Sequence, residues 1–168
     1  MGHLDMLGTV TAKSIIKDKD VKTILIIGAS LKSSMLNYFI EENKYEISVI
    51  DNSTWAIEQS KIQEKSITSI CKDAITHNDY NYDLVISFIM EHIEYSDAIT
   101  LWDKITSQAK YAIFIVPEGE HEQEPFDENF GFKQITEYWD ASMILSDFNN
   151  VDTIENKKYH LIVEYSKK

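Results

Sequence analysis

The chain has few of the residues that form disulfide bonds or bind zinc through thiolates. Among its 168 residues there is one cysteine, Cys71. One cysteine permits neither a disulfide framework nor a thiolate zinc site within one chain. No apolar run reaches the ~18 residues of a membrane span, and the opening residues carry no apolar leader and no myristoylation signal. The sequence therefore predicts a cytoplasmic protein that does not cross a membrane.

Basic residues are also scarce. Lys and Arg number 16 against 28 Asp and Glu, which gives a formal net charge of −12. Such a surface repels duplex nucleic acid, so a small molecule or a neutral sugar is the favoured partner. Hydrophobic residues make up 43% of the chain, enough for a single globular domain over 1–168. Only residues 1–22, which are weakly patterned, and the acidic loop 118–134 fall outside the regular pattern.

What is present is organised around residues 23–53. A short β-branched run, 23–27, predicts a buried parallel strand and is followed by Gly28, which permits a sharp turn. An amphipathic helix and a second strand, 47–50, come next. Asp51 then stands 23 residues after Gly28, about where a doubly wound site places the carboxylate that holds a ribose. The pattern predicts half of a site for a nucleoside cofactor.

A purely structural interpretation of the same stretch stays open. A single glycine joins strand to helix in many α/β proteins that bind no nucleotide. An aspartate at a strand end is often a turn residue or a helix cap. Residues 23–53 alone do not decide between the two interpretations.

The rest of the chain alternates between strand and helix patterns. Further strands are predicted at 66–71, 84–88, 111–116, 151–155 and 159–165, and further helices at 54–65, 96–107 and 139–148. The turn 156–158 is too short for a parallel crossover, so the last strand should be antiparallel. The predicted fold is α/β and Rossmann-like, with a seven-stranded, mostly parallel sheet and an antiparallel last strand.

This pattern resembles a class I S-adenosylmethionine-dependent methyltransferase over about residues 23–165. Residues 82–94, YDLVISFIMEHIE, resemble the fourth-strand segment of that family, and 109–119 resemble its fifth strand and proline turn. Residues 116–139 resemble small methyltransferases linked to sugar or glycan modification. The resemblance implies S-adenosylmethionine as cofactor, with Asp51 on the ribose and Asp73 on the adenine side. Its implied cofactor-binding residues are Gly28, Ala29, Ser30, Lys32, Asp51, Asn52, Asp73, Ala74, Ser87 and Phe88.

The glycine-rich turn departs from the family pattern. Where the family has Asp-x-Gly-x-Gly-x-Gly, this chain retains Gly28 alone and carries Lys32 near the expected methionine moiety. Lys32 either blocks the crevice or pairs with the methionine carboxylate. The first alternative makes the protein a catalytically silent subunit that acts through a partner, and the second keeps it an enzyme. A homo-oligomer also stays open.

Methyl transfer from a sulfonium needs mainly alignment and exclusion of water, and a base only where the acceptor must lose a proton. His92 and His121 are the candidate bases, because each follows the carboxyl end of a strand. A structural role stays open for both. A metal site using Glu91, His92, Glu118 and His121 lacks a recognised ligand spacing. A nicotinamide reductase is a weaker rival, since residues 25–30 lead into no Gly-x-x-Gly and no Tyr-x-x-x-Lys pair occurs.

Overall fold

The computed structural model describes residues 10, 12–14, 16–28, 34–63, 66–120, 135–136, 138–157 and 160–168. Nine strands lie within them: β1 (Thr23–Ile27), β2 (Glu46–Asp51), β3 (Thr68–Cys71), β4 (Leu84–Ser87), β5 (Tyr111–Pro117), β6 (Gly119–Glu120), β7 (Tyr138–Trp139), β8 (Thr153–Asn156) and β9 (His160–Ser166). Seven of them form one sheet in the order β3-β2-β1-β4-β5-β9-β8. Strands β6 and β7 pair separately.

The main sheet has the predicted direction of strands. Strands β1 to β5 are mutually parallel, whereas β9 runs antiparallel to both β5 and β8. The predicted seven-stranded sheet with an antiparallel last strand is confirmed. In the register, Ile27 of β1 lies between Ile50 of β2 and Ser87 of β4. The carboxyl ends of these three strands therefore meet at one edge.

Within the ranges that the structure describes, helices lie over the sheet at α1 (Ser34–Glu42), α2 (Thr54–Gln63), α3 (Tyr95–Gln108) and α4 (Ala141–Asp147), besides a few helical residues near the amino terminus. A 3-10 turn, Met90–His92, joins β4 to α3. None of the helices within the described ranges is long and apolar enough to span a membrane.

Alternate residues of the central strands enter two separate cores. On one face, Leu25, Val85 and Phe114 pack with Trp102 of α3 and Ile144 of α4. On the other, the intervening strand residues pack with α1 and the amino-terminal helical residues. This second core includes Ile24, Ile26, Ile86 and Ile113 from the strands and Leu36 and Phe39 from α1. Burial on both faces explains why β1, β4 and β5 are continuous apolar runs in the sequence.

The amino-end edge of the sheet is tied together by Asp83, which immediately precedes β4. Its carboxylate accepts hydrogen bonds from the backbone N–H groups of Lys22, at 2.8 Å, and Thr23, at 3.0 Å. Lys110 Nζ lies 2.5 Å from the same carboxylate. Burial opposes ionisation, but the bonds from Lys110, Lys22 and Thr23 outweigh it and lower the pKa of Asp83 to about 2.

Two local predictions were wrong. Trp139 was expected in a helix over 139–148, but it lies in β7, where it pairs with Gly119, and α4 starts only at Ala141. Asp140 accounts for the later start, because its Oδ1 accepts a hydrogen bond from Met143 N and caps the helix. The helix after β4 was expected over 96–107, with its first residue, Ser96, as the cap. In the structure α3 begins at Tyr95, and its N-cap residue, Glu94, makes no side-chain capping bond.

Candidate functional site

Gly28 ends β1 in a conformation that favours glycine. Its φ is +90°, and its N–H donates to the Ile50 carbonyl at 2.9 Å. A Cβ at this position would lie 2.8 Å from Cγ2 of Ile89, in the turn after β4. The missing side chain therefore lets the post-β4 turn lie directly against the end of β1. The backbone N–H of Phe88 donates to the Ile27 carbonyl at 3.1 Å, which also holds the residues after β4 against the end of β1.

Asp51 is the last residue of β2, at the edge where β1 and β4 also end. One carboxylate oxygen accepts a hydrogen bond from Ser53 N at 2.8 Å, and Ser53 Oγ in turn accepts one from Ala56 N at 3.2 Å at the start of α2. Asp51 thus has the turn role of the structural interpretation. The same bond orients the carboxylate at the strand end, beside the exposed Asn52.

Asp73 and Ala74 follow β3, the next strand outward. Lys72 N donates to the Asp51 carbonyl at 2.9 Å, which holds the end of β3 beside that of β2. Asp73 is exposed, and its Oδ1 accepts from Ile75 N at 2.8 Å. Ala74 is buried, and its carbonyl accepts from the Tyr80 hydroxyl. The predicted ribose-side and adenine-side carboxylates therefore lie on adjacent strands.

Ser87, the last residue of β4, has a fully buried side chain at the same edge. Its hydroxyl makes no hydrogen bond to any described residue. A buried hydroxyl without a partner loses the hydrogen bonds that water gives it in the unfolded chain. Burying it therefore lowers the free energy of unfolding. A ligand that supplies a polar atom there would remove that penalty.

The 3-10 turn after β4 carries the predicted base, His92, next to a buried acid, Glu91. Glu91 is 6% exposed, and within the described part of the chain its Oε2 makes no hydrogen bond. Burial raises the pKa of Glu91 to about 8. His92 Nε2 lies 3.7 Å from Glu91 Oε1. Because a carboxyl with that pKa is mostly protonated at pH 7, this contact is a carboxylic acid facing an imidazole and not a formed ion pair.

The turn is also fastened to the segment that leads into β7. The Glu91 carbonyl accepts from the backbone N–H groups of Ile135, at 2.8 Å, and Thr136, at 3.1 Å. Thr136 Oγ1 donates to the Ile93 carbonyl at 2.8 Å. These three bonds fix the backbone on both sides of His92.

The sequence offers Trp139, Tyr138 and Phe126 as candidates to line an acceptor pocket, with core packing as the favoured role of Trp139. It is fully buried, and its ring lies 5.4 Å from that of Tyr95 and 6.1 Å from that of Phe114. Packing is therefore its observed role. Tyr138 is 46% exposed, and Phe126 lies outside the described residues.

Four predicted site residues fall outside the part of the chain that the structure describes: Ala29, Ser30, Lys32 and His121. The described ones lie at or after the carboxyl ends of strands, at one edge of the sheet: Gly28, Asp51, Asn52, Asp73, Ala74, Ser87, Phe88 and His92. No group of three or more metal-ligating side chains occurs within the described ranges. Sequence reasoning considered Glu91 only as a metal ligand and gave it no role in methyl transfer. Its signal was a single acid within the apolar run FIMEHI.

Comparison with known proteins gives a fold but no close relative. No protein-family model and no curated protein matches the sequence. Among solved structures, an S-adenosylmethionine-dependent methyltransferase from Clostridium acetobutylicum matches with a TM-score of 0.72 and 10% identity, over 99% of this chain and 92% of that one. The N-terminal domain of EvdMO1, solved with SAH bound, matches with a TM-score of 0.72 and 9% identity, over 100% and 83%.

A third match is magnesium protoporphyrin IX methyltransferase from Synechocystis, solved with SAM bound. Its TM-score is 0.66 and its identity 14%, over 98% of this chain and 79% of that one. At such identities the likeness concerns the backbone alone. The chain has the fold of class I S-adenosylmethionine-dependent methyltransferases, as the sequence resemblance implied.

Proposed function

We propose that this chain binds S-adenosylmethionine at the carboxyl-end edge of its sheet and transfers the methyl group to a small-molecule or sugar-like acceptor. The observation that carries the proposal is the convergence of Gly28, Asp51 and Ser87 at the ends of three adjacent parallel strands. Ligands of open α/β sheets bind at this edge, where the strand order reverses. The order β3-β2-β1-β4-β5 places that reversal between β1 and β4.

The residues present fit such a cofactor. Gly28 lets the turn after β4 lie directly against the end of β1 at the proposed site. Asp51 offers a carboxylate oriented by its turn. Ser87 holds a buried hydroxyl with no partner among the described residues. Asn52 and Phe88 follow Asp51 and Ser87, and Asp73 and Ala74 would border the adenine. Ala29, Ser30 and Lys32 are assigned to the methionine end from sequence alone.

When bound, the cofactor would supply an electrophilic methyl group on a sulfonium. The protein aligns the acceptor with that methyl group and keeps water away from both. For a hydroxyl acceptor, the oxygen–carbon bond forms as the carbon–sulfur bond breaks, and the hydroxyl proton leaves. His92 is our candidate to take that proton, with His121 as the second candidate. His92 is partly exposed beside the end of β4, where an acceptor could reach it.

The proposal is tested by equilibrium binding of S-adenosylmethionine to the wild type and to Asp51→Ala. If Asp51 holds the ribose, its loss removes a hydrogen bond to a charged group and costs about 1.5 kcal/mol, a more than tenfold weaker affinity. Asp20→Ala is a matched control, because it removes the same charge from an exposed side chain at the opposite edge. Circular dichroism checks that both variants fold.

Equal affinities of the two variants would remove Asp51 from the site. Binding of S-adenosylmethionine without methyl transfer to any sugar or small-molecule acceptor would favour the silent-subunit alternative. That alternative has support in the sequence alone, from the single glycine that remains in the turn before Lys32.

A further inference from the structure

We propose that Glu91 is the positioning residue of His92, and that the two side chains act as a proton-sharing pair at the acceptor side of the site. The inference rests on the proposed function, because it concerns the base that takes the acceptor's proton. It adds a residue to which the sequence resemblance gave no role.

The burial of the two side chains and the distance between them support the pair. The Glu91 side chain is 8% exposed and that of His92 is 30% exposed, so the acid is sealed while the imidazole reaches solvent. His92 Nε2 stands 3.7 Å from Glu91 Oε1, a distance that a small rotation of either side chain brings to hydrogen-bond length. The carbonyl bonds from Ile135 and Thr136 hold the turn in place. These bonds fix the backbone of Glu91 beside that of His92.

Among the described residues, the elements packed against the pair carry few other charges. The turn packs against β5 and α3 and is bonded to residues 135–136. β5 has one titratable residue, Tyr111, at its far end, and residues 135–136 have none. The first turn of α3 contains two titratable residues, Tyr95 and Asp97. The Tyr95 hydroxyl donates a hydrogen bond to Asp147. Burial is the dominant cause of the raised pKa of Glu91.

This pairing gives the acid a defined task. When Glu91 is ionised, its carboxylate accepts a hydrogen bond from Nε2–H, and in this tautomer the basic lone pair lies on the other ring nitrogen. After proton transfer, the imidazolium lies beside a carboxylate and is stabilised by it. When Glu91 is protonated, it instead donates to Nε2, and the ring proton moves to the nitrogen that should act as base. The active form of the pair therefore appears as Glu91 ionises, near the apparent pKa of the pair.

The test uses the protein without cofactor or substrate, so that it stands apart from the proposed function. The ring resonances of ¹³C-labelled histidine are followed from pH 4 to pH 10 and are assigned to His92 with His92→Gln. In the wild type we expect two inflections, one from the imidazole and one as Glu91 titrates. In Glu91→Gln the second inflection disappears, and only the inflection of the imidazole remains. Glu94→Gln, an exposed acid three residues on, should leave both inflections unchanged.

A single inflection in the wild type overturns the pairing, and so does an equal effect of the two glutamine substitutions. The wild-type titration keeps the test decisive even if Glu91→Gln fails to fold. With an acceptor in hand, Glu91→Gln should lower kcat at least tenfold and remove the rise of kcat with pH, while the cofactor Kd stays unchanged. Coupled titration together with no cofactor binding would overturn methyl transfer and leave the pair intact. Unchanged kcat would overturn the positioning role.

Discussion

Two buried acids flank β4, and their surroundings are opposite. Asp83, at the amino end, is 9% exposed and receives three hydrogen-bond donors, from Lys22, Thr23 and Lys110. Glu91, past the carboxyl end, is 6% exposed, and its Oε2 receives none from the described residues. The pKa of Asp83 is accordingly lowered to about 2, whereas burial raises that of Glu91 to about 8.

The difference separates the two edges of the sheet by role. At the amino edge, a satisfied carboxylate joins the start of β1, the start of β4 and the residue before β5, so it stabilises the fold. At the carboxyl edge, Ser87 and Glu91 keep polar atoms buried without a described partner. Buried polar atoms without a partner are unfavourable for folding, so these two support our proposal that a ligand binds at this edge.

The largest expected effect is at Asp83. Asp83→Asn removes a buried charge to which three donors point, so the free energy of unfolding at pH 7 should fall by about 3 kcal/mol. Because the pKa of Asp83 is lowered in the folded state, the wild type loses this stability as pH falls from about 4 towards 2. The difference between variant and wild type should therefore vanish near pH 2. Urea unfolding at several pH values measures it, with the exposed Asp79→Asn as control.

The reverse pH dependence is expected at Glu91. A folded pKa raised to about 8 means that the wild type loses stability as pH rises from about 4.5 to 8, because its buried carboxyl must ionise. Glu91→Gln lacks that group, so its stability relative to the wild type should increase by about 2 kcal/mol or more over this range. Urea unfolding at pH 5 and pH 8 compares the two proteins. A constant difference would place Glu91 among satisfied carboxyls such as Asp83.

A smaller effect is expected at Lys32, which lies outside the described residues. If Lys32 pairs with the methionine carboxylate, Lys32→Gly removes a charge-assisted contact and should weaken S-adenosylmethionine binding about tenfold. The loss should be greater at low salt than at high salt. If Lys32 blocks the crevice, the same substitution tightens binding. The sign of the change in Kd distinguishes the two, with Lys17→Gly as a control for charge.

The elements of the sheet were predictable where their pattern is local. Strands β1, β4 and β5 are continuous apolar runs, and the antiparallel direction of β9 follows from the short turn before it. Strands β6 and β7 were not predicted, because two-residue strands have no periodicity and join residues 119 and 139, which are far apart in the sequence. Trp139 was therefore placed in the wrong element.

The site residues, like the strands, were predictable only where a local sequence pattern determines their position. Gly28 and Asp51 were identified from their spacing, because one strand–helix–strand unit sets both positions. The burial of Glu91 was not readable, because it depends on packing against β5 and on residues 135–136, which return to the turn from more than 40 residues away. A polar residue in an apolar run shows its role only when the segments that cover it are known.

The most direct test of the carboxyl edge as a cofactor site is a calorimetric titration of the pure protein with S-adenosylmethionine, its demethylated product and NADPH. We expect S-adenosylmethionine and its demethylated product to bind saturably at one site per chain, and NADPH not to bind. Binding of NADPH alone would support the reductase alternative, and binding of none of the three would contradict the cofactor site itself.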